Sequence, residues 1–217
     1  SPSFVRFGNF ELLSSRQEYD LLERLLCFTI ESDFPEIDAS GGVDSYLQWF
    51  TEVSRRTASM ISHWMRVGFV HGVMNSDNMS VLGLTIDYGP YGWLEGYDPT
   101  WTPNTTDAQG RRYCYGNQPY MAQWNLMQLA NAIFTVVKDE KRLQEALDSY
   151  RVTFQEEWQQ TLRAKLGIHT VEKHDDKLIS SLLELLTKTE TDMTIFFRNL
   201  ANLNVSEKDG DELLKTV

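Results

Sequence analysis

His71-Gly72-Val73-Met74-Asn75-Ser76-Asp77-Asn78, followed nine residues after Asn78 by Asp87-Tyr88-Gly89, is the stretch from which the rest of the chain is best read. Between its two parts runs Met79 to Ile86, apolar and β-branched with one interruption at Gly83. That pattern predicts a short hairpin delivering Asp87 to the loop. Asn78 and Asp87 offer hard oxygen ligands, few in number, which phosphate oxygens and water would complete around Mg²⁺, with Mn²⁺ as the alternative. An isolated Asp-Tyr-Gly is a turn; joined to His71 and Asn78 at this distance, it becomes a candidate metal-binding element. Asp77 adds a carboxylate beside the Asn. It can serve as a general base or cap the loop by accepting backbone N–H groups. Two carboxylates beside one metal remain ionised together only with the help of its charge.

The spacing of His71 and Asn78 resembles that of the catalytic loop of kinase-type phosphotransferases, His-x-Asp-x-x-x-x-Asn. In those enzymes the third residue takes the hydroxyl proton. Here it is Val73, which can neither accept a proton nor orient a nucleophile. In such loops the His holds the segment carrying the metal Asp, and His71 is expected to do the same. The wording around the loop is similar to one family. Phe69 to Ser80, Leu82 to Pro90, Tyr97-Asp98-Pro99, Asn117-Gln118-Pro119, Trp124-Asn125-Leu126 and Thr191 to Arg198 resemble the selenoprotein O family of protein adenylyltransferases. So does Pro2-Ser3-Phe4-Val5-Arg6-Phe7-Gly8, which looks like the family's Arg-bearing approach to the C-lobe.

The resemblance implies a mainly α, kinase-like C-lobe with a short β-hairpin at the catalytic and metal loop, the N-lobe lying outside this chain. It implies transfer of AMP from ATP to Ser, Thr or Tyr hydroxyls of proteins. Asn78 and Asp87 would be the metal ligands, Asp77 the base, and Arg6 and Asp87 the nucleotide contacts. Neither a Gly-rich strand-loop-strand nor a Lys in a strand precedes the loop, so these 217 residues alone are expected to transfer weakly or not at all. Two rivals stay open: a kinase-type phosphotransferase moving the γ-phosphate, and a non-catalytic pseudokinase scaffold.

Composition bounds the partners. Hydrophobic residues at 41% and aromatics at 12% are ample for a packed core. A net charge of −11 argues against nucleic-acid or anionic-membrane partners, which basic surfaces hold. The partners implied by the resemblance are ATP and protein substrates. Cys27 and Cys114 form neither a disulfide framework nor a metal spacing. A reducing compartment follows, and the resemblance implies bacterial cytoplasm, or mitochondria for a eukaryotic member.

Periodicity predicts an amphipathic helix over 16–31, with Tyr19, Leu22, Leu25, Leu26 and Ile30 facing inward. A longer helix over 43–67 places Tyr46, Leu47, Phe50, Val53, Ala58, Ile61 and Met65 on its inner face. Further helices are expected over 119–137, 140–166, 174–188 and 191–202, with Gly167 stopping the second of these. Residues 88–118 show no period and are rich in Gly, Pro, Asn, Thr, Tyr and Trp. A loop of that length in a compact domain is more often functional than connective, and it stands where kinases carry the activation segment. Arg111 and Arg112 could bind phosphate or anchor the loop to acidic neighbours, the plainer role. Trp93, Trp101 and Trp124 read as packing residues. One domain is expected over 1–205, with 206–217 a polar tail or the edge of the fragment.

Overall fold

The computed structural model describes residues 1–202; the expected tail at 206–217 lies outside them. Among the described residues seven helices form the body: α1 Phe7–Ser15, α2 Tyr19–Asp33, α3 Val43–Val67, α4 Gln118–Val137, α5 Glu140–Lys165, α6 Asp175–Lys188 and α7 Met193–Asn199. Two short strands, β1 Phe69–Val70 and β2 Gly92–Trp93, pair antiparallel, with Phe69 opposite Trp93 and Val70 opposite Gly92. The chain is therefore mainly helical with one small sheet.

α3 is the axis of the molecule. It runs along α5 and against α4, while α1 also lies on α4. All seven inner-face residues predicted for α3 are buried, and Trp49 joins them. The Trp49 ring sits 5.1 Å from Phe10 of α1 and 6.2 Å from Phe34 at the end of α2, tying three helices at one point. Each such ring, fully buried, contributes roughly 1.5–3 kcal/mol. α3 ends at Gly68, and β1 leads directly into the His71 loop.

α5 stops as its sequence predicts. Gly167 takes the left-handed conformation (φ 68°), and the Ile168 N–H reaches the Arg163 carbonyl at 2.9 Å. This satisfies a carbonyl the helix end would otherwise leave bare.

Three expectations need correction. α1 was not foreseen: its nine residues carry too few turns for a period, yet Phe7 and Phe10 are wholly buried. Tyr19 does not face inward; it begins α2 at the surface, 43% exposed. The hairpin over 79–86 is not a pair of regular strands. It is a reversal held by one bridge, Met79 opposite Thr85, while Ser80 bridges to Arg6. The ladder that does form lies outside it, between β1 and β2.

The segment 88–117 holds no regular element longer than three residues: β2 and two 3-10 turns, Thr105–Asp107 and Tyr115–Asn117. It is nonetheless fixed. Asp107 accepts from the Arg112 and Tyr113 N–H groups at 3.0 and 2.8 Å. The buried Tyr115 hydroxyl donates to the Met65 carbonyl at 2.6 Å. Among the described residues no helix is long and apolar enough to cross a membrane.

Candidate functional site

The site begins where β1 ends. His71 is completely buried against Trp64 (ring centroids 5.3 Å) and Phe69 (6.5 Å). Its Nε2 lies 2.8 Å from the Ile86 carbonyl, so Nε2–H donates, while Nδ1 faces the Val73 N–H at 3.4 Å. That pattern fits the neutral ring. Burial holds its pKa below the usual histidine value, against opposing pulls from the Ile86 carbonyl and Asp87. His71 thus secures the residue immediately before Asp87, the structural role expected of it.

Gly72 permits the turn that follows. Its φ is 84°, and a Cβ there would strike the Pro90 carbonyl oxygen. The loop and the segment after Asp87 therefore touch backbone to backbone. Asp77 and Asn78 sit in a single 3-10 turn, Ser76–Asn78.

Asn78 donates from Nδ2 to the Val73 carbonyl at 2.9 Å, which fixes the amide and leaves Oδ1 without a hydrogen-bond partner among the described residues. Asp77 is exposed, and its carboxylate accepts no hydrogen bond among the described residues. The capping role considered for it is not seen. Asp87 has a left-handed backbone, φ 50°, uncommon for a residue with a side chain and a mark of local strain.

α1 joins these groups. Arg6, at its N-cap, places a guanidinium nitrogen 2.6 Å from Asp87 Oδ2. Two residues on, Gly8 lies under Asp77, and a Cβ at Gly8 would collide with Asp77 Oδ1. The backbone here is pinned: Phe7 N–H to the Met79 carbonyl at 3.0 Å, Val81 N–H to the Val5 carbonyl at 3.2 Å, and Arg6 N–H to Asn9 Oδ1 at 2.9 Å. Arg6, Asp77 and Asp87 thus gather around the first turn of α1, with Asn78 beside Asp77 in its turn.

Two carboxylates, one free amide oxygen and a single guanidinium leave the cluster short of positive charge. Hard oxygen donors of this kind fit a divalent cation of the Mg²⁺ class, and Asn78 and Asp87 are the residues that could hold it. Asp77, free and solvent-facing, can accept a proton.

Three amide side chains that sequence reasoning did not single out hold the loop. Gln118, buried at the start of α4, accepts the His71 N–H at 3.0 Å and donates to the Phe69 carbonyl at 2.9 Å. Asn104, from the long segment, donates to the Gly72 carbonyl at 3.0 Å. Asn125 of α4 donates to the Met74 carbonyl at 2.8 Å. The available signal was a Gln and an Asn on the apolar side of a helix, where an amide is tolerated only with partners.

Among the described residues the guanidinium groups of the loop arginines form no ion pair, although the Arg112 N–H donates to the Asp107 carboxylate. Arg111 donates to the Thr100 hydroxyl at 2.6 Å, and the Arg112 guanidinium lies 5.7 Å from the Tyr113 ring centre. Of the three tryptophans expected to pack, Trp101 does. Trp124 is 38% exposed, and Trp93 is 54% exposed, in an aromatic row with Tyr91 (5.4 Å) and Phe69 (5.6 Å).

Comparison with known proteins gives a single answer. The family model described as protein adenylyltransferase SelO matches residues 1–216. The chain is 56% identical over 213 residues to the protein nucleotidyltransferase YdiU of Nitrosospira multiformis, covering 97% of this chain and 38% of that protein. It is 55% identical over 214 residues to the protein of the same name from Rhodopirellula baltica, covering 96% and 40%. With the Aromatoleum aromaticum protein of that name, 55% identity extends over 213 residues, 98% and 40%. The chain therefore spans about two fifths of the length of the curated relatives it matches.

Proposed function

The chain belongs to the protein adenylyltransferase SelO family, and from that premise we propose that it supplies the proton-accepting and metal-facing wall of a protein adenylyltransferase, built as a kinase-like C-lobe over the described residues 1–202 of the expected domain. The observation that carries the reading is the pairing of an inert Val73 with a free, exposed Asp77 four residues later, above the first turn of α1. The position that holds the base in kinase-type loops is vacated. A carboxylate stands ready nearby.

In this reading the hydroxyl oxygen of a protein Ser, Thr or Tyr attacks the α-phosphorus of ATP. The bond to the β-phosphate oxygen breaks, pyrophosphate leaves, and the hydroxyl proton passes to an Asp77 carboxylate oxygen. Asn78 and Asp87 would hold Mg²⁺, which when bound would neutralise developing phosphate charge. Arg6 clamps phosphate oxygens with charge-assisted hydrogen bonds. Gly8 keeps Asp77 in place by leaving room for it. His71 and the amides of Gln118, Asn104 and Asn125 keep the loop in register. The free Cys27 and Cys114 fit a reducing compartment such as the cytoplasm.

The test is intact-mass analysis of the protein carrying these residues at the family's full length, incubated with Mg²⁺ and ATP beside an Asp87→Ala control. A gain of one AMP per modified site, absent from the control, is the expected result. A phosphate-sized gain would move the protein to kinase chemistry. Absence of any gain, together with no nucleotide binding by calorimetry, would leave the scaffold reading.

A further inference from the structure

We propose that Arg6 is a stand-in for the cation at Asp87: its guanidinium occupies the carboxylate when no metal is there, so that free metal must displace it to bind. This rests on the reading of Asp87 as a metal ligand and concerns how that site is regulated. The starting point is the 2.6 Å contact between the Arg6 guanidinium and Asp87 Oδ2. A carboxylate oxygen so engaged is not free for a second cation, and a divalent ion beside it would also be repelled by the guanidinium's charge.

The two partners are held very differently, and the difference decides which of them yields. Asp87 is anchored through its neighbour, because the Ile86 carbonyl accepts from the buried His71 ring at 2.8 Å. Its left-handed backbone further limits where the carboxylate can point. The Arg6 backbone is equally fixed, bridged to Ser80 and bonded through its N–H to Asn9 Oδ1. Its side chain is not. The guanidinium has no ion-pair partner besides Asp87 among the described residues, and although both side chains are partly exposed (32% for Arg6, 40% for Asp87), the longer Arg6 side chain has more rotatable bonds to swing through. Exchange therefore needs only a rotamer change in a long, partly solvated side chain, with α1 and the loop left in place.

Meanwhile Asn78 Oδ1 waits without a partner, its amide already locked on the Val73 carbonyl. Half of the cation's seat is thus open, and the other half is held by Arg6. A phosphate group arriving with the metal gives the displaced guanidinium a new anion to grip, a contact at least as strong as the one it gives up. The arrangement disfavours metal alone and favours metal arriving with a polyphosphate. Arg6 is in this sense a selectivity residue for the loaded nucleotide.

The experiment is titration of the 217-residue chain with Mn²⁺ alone, free ion being read by electron paramagnetic resonance. Wild type is compared with Arg6→Gln, Arg6→Lys and Asp87→Asn, each checked by circular dichroism. Without nucleotide, Arg6→Gln should bind Mn²⁺ roughly three- to tenfold tighter than wild type, as expected for loss of a partly exposed ion pair and a repelling charge. Arg6→Lys, which keeps the charge but grips the carboxylate less well, should fall between them. Asp87→Asn should lose Mn²⁺ binding. Equal or weaker binding by Arg6→Gln, with Asp87→Asn still defective, overturns the stand-in role and leaves Asp87 as the ligand. Undiminished binding by Asp87→Asn overturns both, by putting the cation elsewhere.

Discussion

Around α3 and α5 the chain is held by apolar side chains spread over many turns, whereas residues 69–118 add to a few buried apolar anchors such as Val70, Met74 and Val81 a set of hydrogen bonds from single side chains to the backbone. Trp49, Phe50, Val53 and Ile61 are all fully buried, and the loss of any one leaves the others in contact. In the loop region, Gln118 alone serves both Phe69 and His71. Apolar packing is non-directional and distributes damage. Hydrogen bonds to backbone fix position and concentrate it. A site that must hold Asp77, Asn78 and Asp87 in register needs the second kind of support, and it rests on a body built from the first.

The comparison can be broken at several points. Asp87→Ala, in the full-length protein, should lower AMP transfer by roughly a thousandfold or more with an unchanged circular-dichroism spectrum. Normal transfer by that variant would remove the metal assignment altogether. Trp49→Ala should destabilise the chain by about 3–5 kcal/mol in denaturant titrations, because it empties the junction of α1, α2 and α3. A loss below about 1 kcal/mol would mean the body relaxes around the cavity instead of depending on that ring.

Gln118→Ala sharpens the contrast. It strands the His71 N–H and the Phe69 carbonyl in a buried setting, so stability should fall by about 2 kcal/mol. Transfer should fall further than the unfolded fraction explains, with the ATP KM less affected than kcat. A loss of stability with normal kcat would reduce Gln118 to an ordinary core amide.

The pH dependence follows from His71. Its folded pKa lies below the unfolded value of about 6.5, because burial disfavours the charged ring. Between those two values the unfolded chain binds more protons than the folded one. The stabilising contribution is therefore complete above the unfolded pKa and is lost as pH falls below it toward the folded pKa. Melting temperature should decline from pH 7.5 to 5.5, and His71→Gln should flatten that decline. The smallest effect is expected at the surface of α5: Lys141, 3.8 Å from Glu145 and almost fully solvated, should tolerate alanine with no measurable change in the unfolding midpoint.

Legibility divided along the same line. α3 follows its predicted span, Val43–Val67, because seven apolar positions at helical spacing leave no competing arrangement. The end of α5 was readable from Gly167, and α4 begins one residue before its expected start at 119. α1 was not, since its two buried phenylalanines acquire meaning only when α2, α4 and Trp49 are in place. The short hairpin expected at 79–86 is present only as one bridge, Met79 opposite Thr85, because Ser80 pairs with Arg6 instead, a partner 74 residues upstream in the chain. Asn78, Asp77 and Asp87 could be proposed from local spacing. The Asn104, Gln118 and Asn125 amides could not, because their acceptors are backbone atoms 32 to 51 residues away, which no side-chain pattern encodes.

Asp87 sits in a backbone conformation that glycine would occupy without strain. A chain shaped only by durability would place glycine at 87, gaining a relaxed backbone and losing the Arg6 contact. Retaining aspartate sets robustness against chemistry at one position. If Asp87 is the metal ligand proposed above, heat tolerance and catalytic competence pull this residue in opposite directions, and a screen rewarding survival alone would drift toward an inert protein.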